Sequence, residues 1–156
     1  MKIGGVDPKT LPLEDFLVLP RGNKTLVFRA QGLPNLDEFH AMVPEPKAPG
    51  RLTPQGTVHD TNEPGFQASQ QEYFKRRWAY LMVKSLAPSN IEWDTVDMDS
   101  PATWANWSTD LIKNGITNVE IGLIRDLVTG TNQLDEAKLK KAREAFQLGP
   151  MLESEA

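Results

Sequence analysis

Apolar residues recur with a period of two near the N-terminus of this chain and with helical spacing beyond residue 67. Residues 16–30, FLVLPRGNKTLVFRA, hold two apolar runs, Phe16–Leu19 and Thr25–Ala30, on either side of Pro20-Arg21-Gly22-Asn23-Lys24. In the second run Leu26 and Phe28 alternate with Val27 and Arg29, the pattern of a strand with one buried face. Gly22 and Asn23 tolerate positive φ, so the two runs predict a hairpin. Two strands alone are marginal in water, so they must lie on helices, gain a third strand or pair with a partner. PNLDEFHAM at 34–42 predicts a short helix with Pro34 near its start.

Residues 43–66, VPEPKAPGRLTPQGTVHDTNEPGF, carry prolines at 44, 46, 49, 54 and 64 and glycines at 50, 56 and 65. That density predicts a long loop without a regular element. Such a loop either packs on its own domain through Leu52 and Val58 or serves as an arm that orders on a partner.

Helical spacing then takes over. In 67–87, Phe74, Trp78, Leu81, Met82 and Ser85 share one face, with Lys75, Arg76 and Ala79 elsewhere and Pro88 at the end. IEWDTVDMD follows as an extended stretch anchored by Ile91, Trp93 and Val96. Ser100-Pro101 predicts the start of a second helix, 101–114, with Ser100 as cap and Trp104, Trp107, Leu111 and Ile112 on its apolar face; Gly115 suits the residue just past its end. Thr117-Asn-Val-Glu120 is a capping box, with Ile116 and Ile121 placed as a hydrophobic staple. It predicts a helix over 117–129 that stops at Gly130. A last helix over 135–147, capped by Asp135 and stapled by Leu134 and Leu139, carries Leu139, Ala142 and Phe146 on one side and ends at Gly149-Pro150.

The pattern therefore predicts an α+β protein, mainly α. Residues 1–42 form a β-rich part, 43–66 a Pro/Gly-rich loop, 67–149 a four-helix region and 150–156 an acidic tail, all in one domain. The helices should pack through Trp78, Leu81, Trp104, Leu111, Ile124, Leu127, Leu139 and Phe146.

Composition narrows the function classes. A length of 156 residues suits one domain, and 39% apolar against 24% charged residues is too apolar for a disordered chain. No apolar run approaches a bilayer span, and MKIGGVDPKT has no apolar stretch of signal-peptide length, so an intracellular protein is expected. The absence of cysteine excludes disulfides, thiolate catalysis and zinc ribbons. A net charge of −4 argues against nucleic acid as the main partner. Charge is uneven: residues 67–87 are basic, whereas 88–156 carry twice as many acids as bases, so the two regions should attract each other.

Candidate chemistry is sparse. His59-Asp60 with Glu63 lacks the spacing that puts metal ligands on one helical face, and His40 stands apart. Asp94, Asp97 and Asp99 alternate, but a calcium loop begun at Asp94 would need glycine at 99 and glutamate at 105, where Asp99 and Ala105 stand. No nucleophile elbow, Walker or dinucleotide glycine pattern occurs, so no catalytic residue and no cofactor are expected. Arg76-Arg77-Trp78 beside Tyr73, Phe74 and Tyr80 mixes cations with aromatics as nucleic-acid surfaces do. The simpler reading makes Phe74 and Trp78 core and pairs Arg76 and Arg77 with the acidic C-terminal half. The tryptophans at 78, 93, 104 and 107 read as core anchors. Binding another protein is the remaining class.

The order LVLPRGNKTLVFRAQGL, MVPEPKAP, RRWAYLMVKSL, IEWDTVDMDSPATW and LDEAKLKKAREAF resembles tail assembly chaperones of long-tailed, siphovirus-like bacteriophages, over about Asp7 to Gly149. The resemblance implies a mostly helical protein of the bacterial host cytoplasm. It would bind the tape-measure protein, keep its long apolar helices soluble, help recruit tail-tube protein and be absent from the mature virion. Such chaperones are often also made as a longer frameshifted product, and Lys140-Lys141 is compatible with an A-rich slippery site. A structural virion component, such as a minor tail or head–tail connector protein, is the alternative. A helical client calls for apolar grooves and adaptable segments. The candidate partner-binding residues are Phe16, Val18, Leu26 and Phe28 of the hairpin, Leu52 and Val58 of the loop, and Trp78 and Trp107 of the helices. Self-association is a further option.

Overall fold

The computed structural model describes the backbone of residues 1–134 and 136–155, and side chains as far as Leu148. The chain is α+β, about half helical, with two small antiparallel sheets preceding most of the helices. The first sheet pairs β1 (Glu14–Arg21) with β2 (Lys24–Gln31) in the register Leu17↔Phe28 and Leu19↔Leu26. Gly22 takes φ 62° while Asn23 stays out of the left-handed region, as a type II′ turn requires. Helix α1 spans Asp37–Met42. The inner face of the hairpin, through Leu19, Phe28 and Ala30, belongs to the core, and both strands lie against α4 (Asn118–Thr131). The first of the hairpin's three options, lying on helices, is the one realised.

Proline placement explains how β1 tolerates Pro20. Positions 14, 16, 18 and 20 point their backbone groups away from β2, because they alternate with hydrogen-bonded pairs beginning at Arg21↔Lys24. Pro20 therefore removes no ladder bond. On the opposite edge of the sheet, Ser89 Oγ accepts from Arg29 N and donates to Arg29 O, both at 2.7 Å, and stands in for a third strand.

Residues 43–66 differ from the expected loop. Strands β3 (Gly50–Thr53) and β4 (Gly56–His59) form a second hairpin, with Leu52↔Thr57 and Arg51↔Val58 in register. The prolines are numerous but fall where pairing does not need them. Pro44, Pro46 and Pro49 precede the ladder, and Pro54 occupies the first central position of the turn, for which its φ is preset. Asp60 N extends the pairing to Pro49 O at 2.9 Å. Helix α2 also starts earlier than expected, at Pro64, and runs to Ser85. Glu63 caps it, its carboxylate accepting from Gly65 N at 3.0 Å and Phe66 N at 2.5 Å, and Pro64 fills the first helical position.

The segment 91–99 has no regular element, and Ile91, Trp93 and Val96 pack against the core as anchors. Asp110 organises it: its carboxylate accepts from Thr95 N at 2.9 Å and Thr95 Oγ1 at 2.7 Å. Burial alone would raise the pKa of Asp110, but these bonds and those from neighbouring amides outweigh burial and lower it. The second helix is split into a 3-10 stretch, Pro101–Asn106, and α3, Trp107–Lys113. Ser100 contributes no side-chain cap; Thr103 Oγ1 instead accepts from Asp97 N at 2.9 Å and donates to Ser100 O at 2.7 Å.

The capping box of α4 forms as read: Thr117 Oγ1 accepts from Glu120 N at 3.2 Å and Glu120 Oε1 accepts from Thr117 N at 3.1 Å, with Ile116 and Ile121 buried beside it. Gly130 does not stop the helix, which continues one residue further. Helix α5 spans Glu136–Glu155 and passes through Gly149-Pro150, so residues 150–155 are helical rather than a separate tail. A proline deletes one amide donor, and flanking Leu, Met, Glu and Gln are good helix formers. Asp135, expected as its cap, lies outside the described residues, as does Ala156. Lys138 Nζ donates to Gly130 O and, at 2.8 Å, to Gln133 O, neutralising the carbonyl end of α4. Leu139 and Phe146 are not core residues; both are exposed, Phe146 at 78%.

The core centres on Phe39 of α1, which is fully buried. Its ring lies 5.4 Å from Tyr73, 5.5 Å from Tyr80 and 6.1 Å from Trp104, and Tyr80 lies 5.2 Å from Trp104. Phe39→Ala should therefore cost about 3–5 kcal/mol in urea unfolding. Leu52→Ala on the exposed second hairpin should stay within about 0.5 kcal/mol.

One ion pair joins the hairpin to the helices. Arg21 meets Glu120 through two hydrogen bonds, Nη1 to Oε2 at 2.7 Å and Nη2 to Oε1 at 2.5 Å. The bond from Arg21 is the main reason the Glu120 pKa falls from 4.5 to about 2, with the Thr117 amide second. A depressed carboxylate contributes stability that is fully present above the unfolded value and is lost as pH falls through the folded one. The melting-temperature gap between wild type and Glu120→Gln should thus be constant above pH 4.5 and narrow between 4.5 and 2. A gap that is flat across this range would mean the pair contributes nothing.

Candidate functional site

Helix α2 carries two apolar stripes. One, with Tyr73, Ala79, Tyr80 and Val83, turns inward onto Phe39 and the tryptophans of the 101–107 turn. The other holds Phe74, Trp78 and Leu81, spaced four and three residues apart. The simpler reading of the sequence puts Phe74 and Trp78 in the core, whereas they are 49% and 41% exposed, as a partner-binding Trp78 would be. Burying the tyrosine stripe lets two phenol rings stack round Phe39 while their hydroxyls reach polar partners. Tyr80 Oη donates to Glu38 Oε2 at 3.3 Å, and Tyr73 Oη lies 3.4 Å from His40 Nδ1.

The outer stripe forms one wall of an open groove of about 400 Å³. Leu33 and Leu36 form the facing wall, Arg77 stands on the rim, and Asn35 and Asn132 supply the remaining polar lining. Asn132 builds this wall. Its Oδ1 accepts from Leu33 N at 2.9 Å, and its Nδ2 donates to the buried Ser85 Oγ at 3.0 Å and to Val128 O at 2.8 Å. One side chain thereby ties the segment after β2 to the C-terminal ends of both α2 and α4. Leu36 is held from the other side, because α1 is pinned by Phe39.

Charge around the groove differs from expectation. Arg76 pairs with Glu72 of its own helix at 3.5 Å, and Lys84 with Glu38 of α1 at 3.0 Å. The Lys84 ammonium hydrogen-bonds Glu38 and lowers its pKa. Neither Arg76 nor Arg77 makes an ion pair with the acidic C-terminal half among the described residues. Of the acids of that half, Glu120 pairs with Arg21 of the first hairpin, while Asp94 accepts from Asn114 Nδ2 at 2.7 Å and Asp97 from Asp99 N at 2.9 Å. Among the described residues no group of three or more His, Asp or Glu could hold a metal ion, and no helix is long and apolar enough to cross a membrane.

The eight candidate partner-binding residues do not form one surface. Phe16 and Val18 lie on the outer face of the first sheet, next to exposed Val27. Leu26 is partly exposed near the turn. Phe28 and Trp107 are core residues at 7% and 3% exposure, so neither is available to a partner. Phe28 is on the inner face that alternation assigns to the core, and Arg125 covers the Trp107 ring with its guanidinium carbon 5.6 Å from the centroid. Leu52 and Val58 are exposed, but the register puts them on opposite faces of the second hairpin. Trp78 lines the groove.

Strand addition on the free edge of β1 is poorly supported. Pro20 has no amide to offer there, and Phe16 N donates to Asp15 Oδ1 at 2.8 Å. The groove residues Leu33, Leu36, Asn35 and Asn132 were not singled out from sequence; the only signal was a second apolar stripe on α2. Comparison with protein-family models, curated proteins and solved structures gave no match to this chain.

Asn132→Ala should destabilise the protein by about 1–3 kcal/mol, because it leaves the Leu33 amide and Ser85 hydroxyl without their partner. Chemical denaturation measures the loss. A change under about 0.3 kcal/mol would show that water replaces the amide without penalty.

Proposed function

We propose that this protein is a tail assembly chaperone of a long-tailed bacteriophage, which binds the tape-measure protein and assists tail-tube assembly in the host cytoplasm. The observation that carries this reading is the open apolar groove of Phe74, Trp78 and Leu81 beside two cations, Lys75 and Arg77, that have no acidic partner among the described residues. Large rings are left in solvent although a full aromatic core is already formed beneath them, which is the economy of a binding surface. The exposed sheet face with Phe16 and Val18 and the exposed apolar side of α5 add further surface for a large, apolar client. The resemblance of pattern and order to the chaperone family supplies the client's identity.

Co-expression with the tape-measure protein encoded by the same phage tests the reading. The expected outcome is a rise in soluble tape-measure protein and a co-purifying complex. Mass spectrometry of purified particles should find this chain absent. Stoichiometric presence in the particle would favour a minor tail or connector protein, and unchanged client solubility would overturn the chaperone reading.

A further inference from the structure

We infer that the Trp78 groove takes one amphipathic helix of a partner whose apolar stripe is flanked by acidic residues. The inference deepens the chaperone reading and rests on it for the client's identity, although the chemistry of the groove stands on its own geometry.

The bordering elements exclude an extended ligand. The groove is walled by α2 on one side and by the Leu33–Leu36 segment on the other, with Asn132 at its end. No strand residue lines it: its lining comes from 33–36, α2 and Asn132. An extended segment burying apolar side chains here would leave its backbone amides unpaired. A helix satisfies its own backbone and can lay a ridge along the stripe at 74, 78 and 81, about 10 Å of α2.

Charge selects the partner. Arg77 stands on the rim, and Lys75 lies on the opposite flank of the Phe74–Trp78 stripe by helical periodicity. Both are exposed, and neither has an acidic partner among the described residues, whereas the other two cations of α2 are paired within the chain. Two unpaired cations bracketing exposed rings suit carboxylates on either side of an apolar ridge. The same charges disfavour a second copy as occupant. A second copy seating the same stripe would set Arg77 and Lys75 against their own counterparts, and the exposed apolar side of α5 has the cation Arg143 on its flank by helical periodicity.

The test uses the full chain and two labelled synthetic helical peptides. Both place leucine at i, i+3, i+4 and i+7; one has glutamate on the flanks and the other lysine. Fluorescence anisotropy at low salt should show the glutamate peptide binding about tenfold more tightly than the lysine peptide. Trp78→Ala should weaken it at least about tenfold in a chain whose far-UV circular dichroism shows the fold retained. The double variant K75E/R77E should reverse the preference. Equal affinity for both peptides, or a preference unchanged in K75E/R77E, would overturn the inference. So would concentration-dependent dimerisation abolished by Trp78→Ala, which would assign the groove to a second copy. If tape-measure protein co-purifies equally with wild type and K75E/R77E, the groove inference fails and the chaperone reading stands. If the glutamate peptide binds but tape-measure protein is never captured, the groove stands and the chaperone reading fails.

Discussion

The burial of Phe39 is the contact on which the rest of the arrangement depends. It sits on α1, a helix of six residues that is too short to hold itself in water. What keeps α1 in place is one ring enclosed by Tyr73 and Tyr80 of α2 and by Trp104 of the 3-10 turn. This enclosure sets the rotation of α2 about its axis. With Tyr73 and Tyr80 committed inward, Phe74 and Trp78 must face outward, half-buried Leu81 joins them along the groove, and the groove is a consequence of how the core is filled.

Polar side chains then fix elements that apolar packing alone would leave loose. Glu120 closes the first turn of α4 and holds Arg21 of β1 with the same carboxylate, so helix start and hairpin position are set together. Asn132 does the same at the other end of α4, where it links Leu33 and Ser85. Ser89 replaces a missing strand at the edge of β2, and Asp110 gathers the 94–96 turn. Each is a single side chain tying its own segment to one or more distant ones. Such bonds are worth little individually, but leaving their buried partners unsatisfied is costly.

Against this well-tied body, the second hairpin and α5 show few ties among the described residues. Leu52 is 89% exposed, and the apolar side of α5 faces solvent at Leu139 and Phe146. The proposed chaperone role would use this contrast: a rigid groove offers a defined seat for a helical ridge, and exposed appendages can adapt to an extended client.

Local signals made part of this legible in advance. Thr117 through Glu120 with Ile116 and Ile121 announced the start of α4, because a capping box satisfies amides within four residues and needs nothing distant. Gly22 marked the first hairpin turn for the same reason. Counting prolines over 43–66 failed, since what decides a ladder is whether a proline falls on a paired amide, and Pro54 falls on the turn. Periodicity showed that α2 has apolar faces, but both the tyrosine stripe and the Trp78 stripe satisfy helical spacing. Nothing near them in the chain chooses between them. The choice was made by Phe39, more than thirty residues away, and by a turn at Trp104 beyond the helix. The sequence by itself thus determined the elements and their caps, which depend on neighbours a turn apart. Only the tertiary structure decided which stripe became core and which became the site, because that depends on which distant rings enclose Phe39.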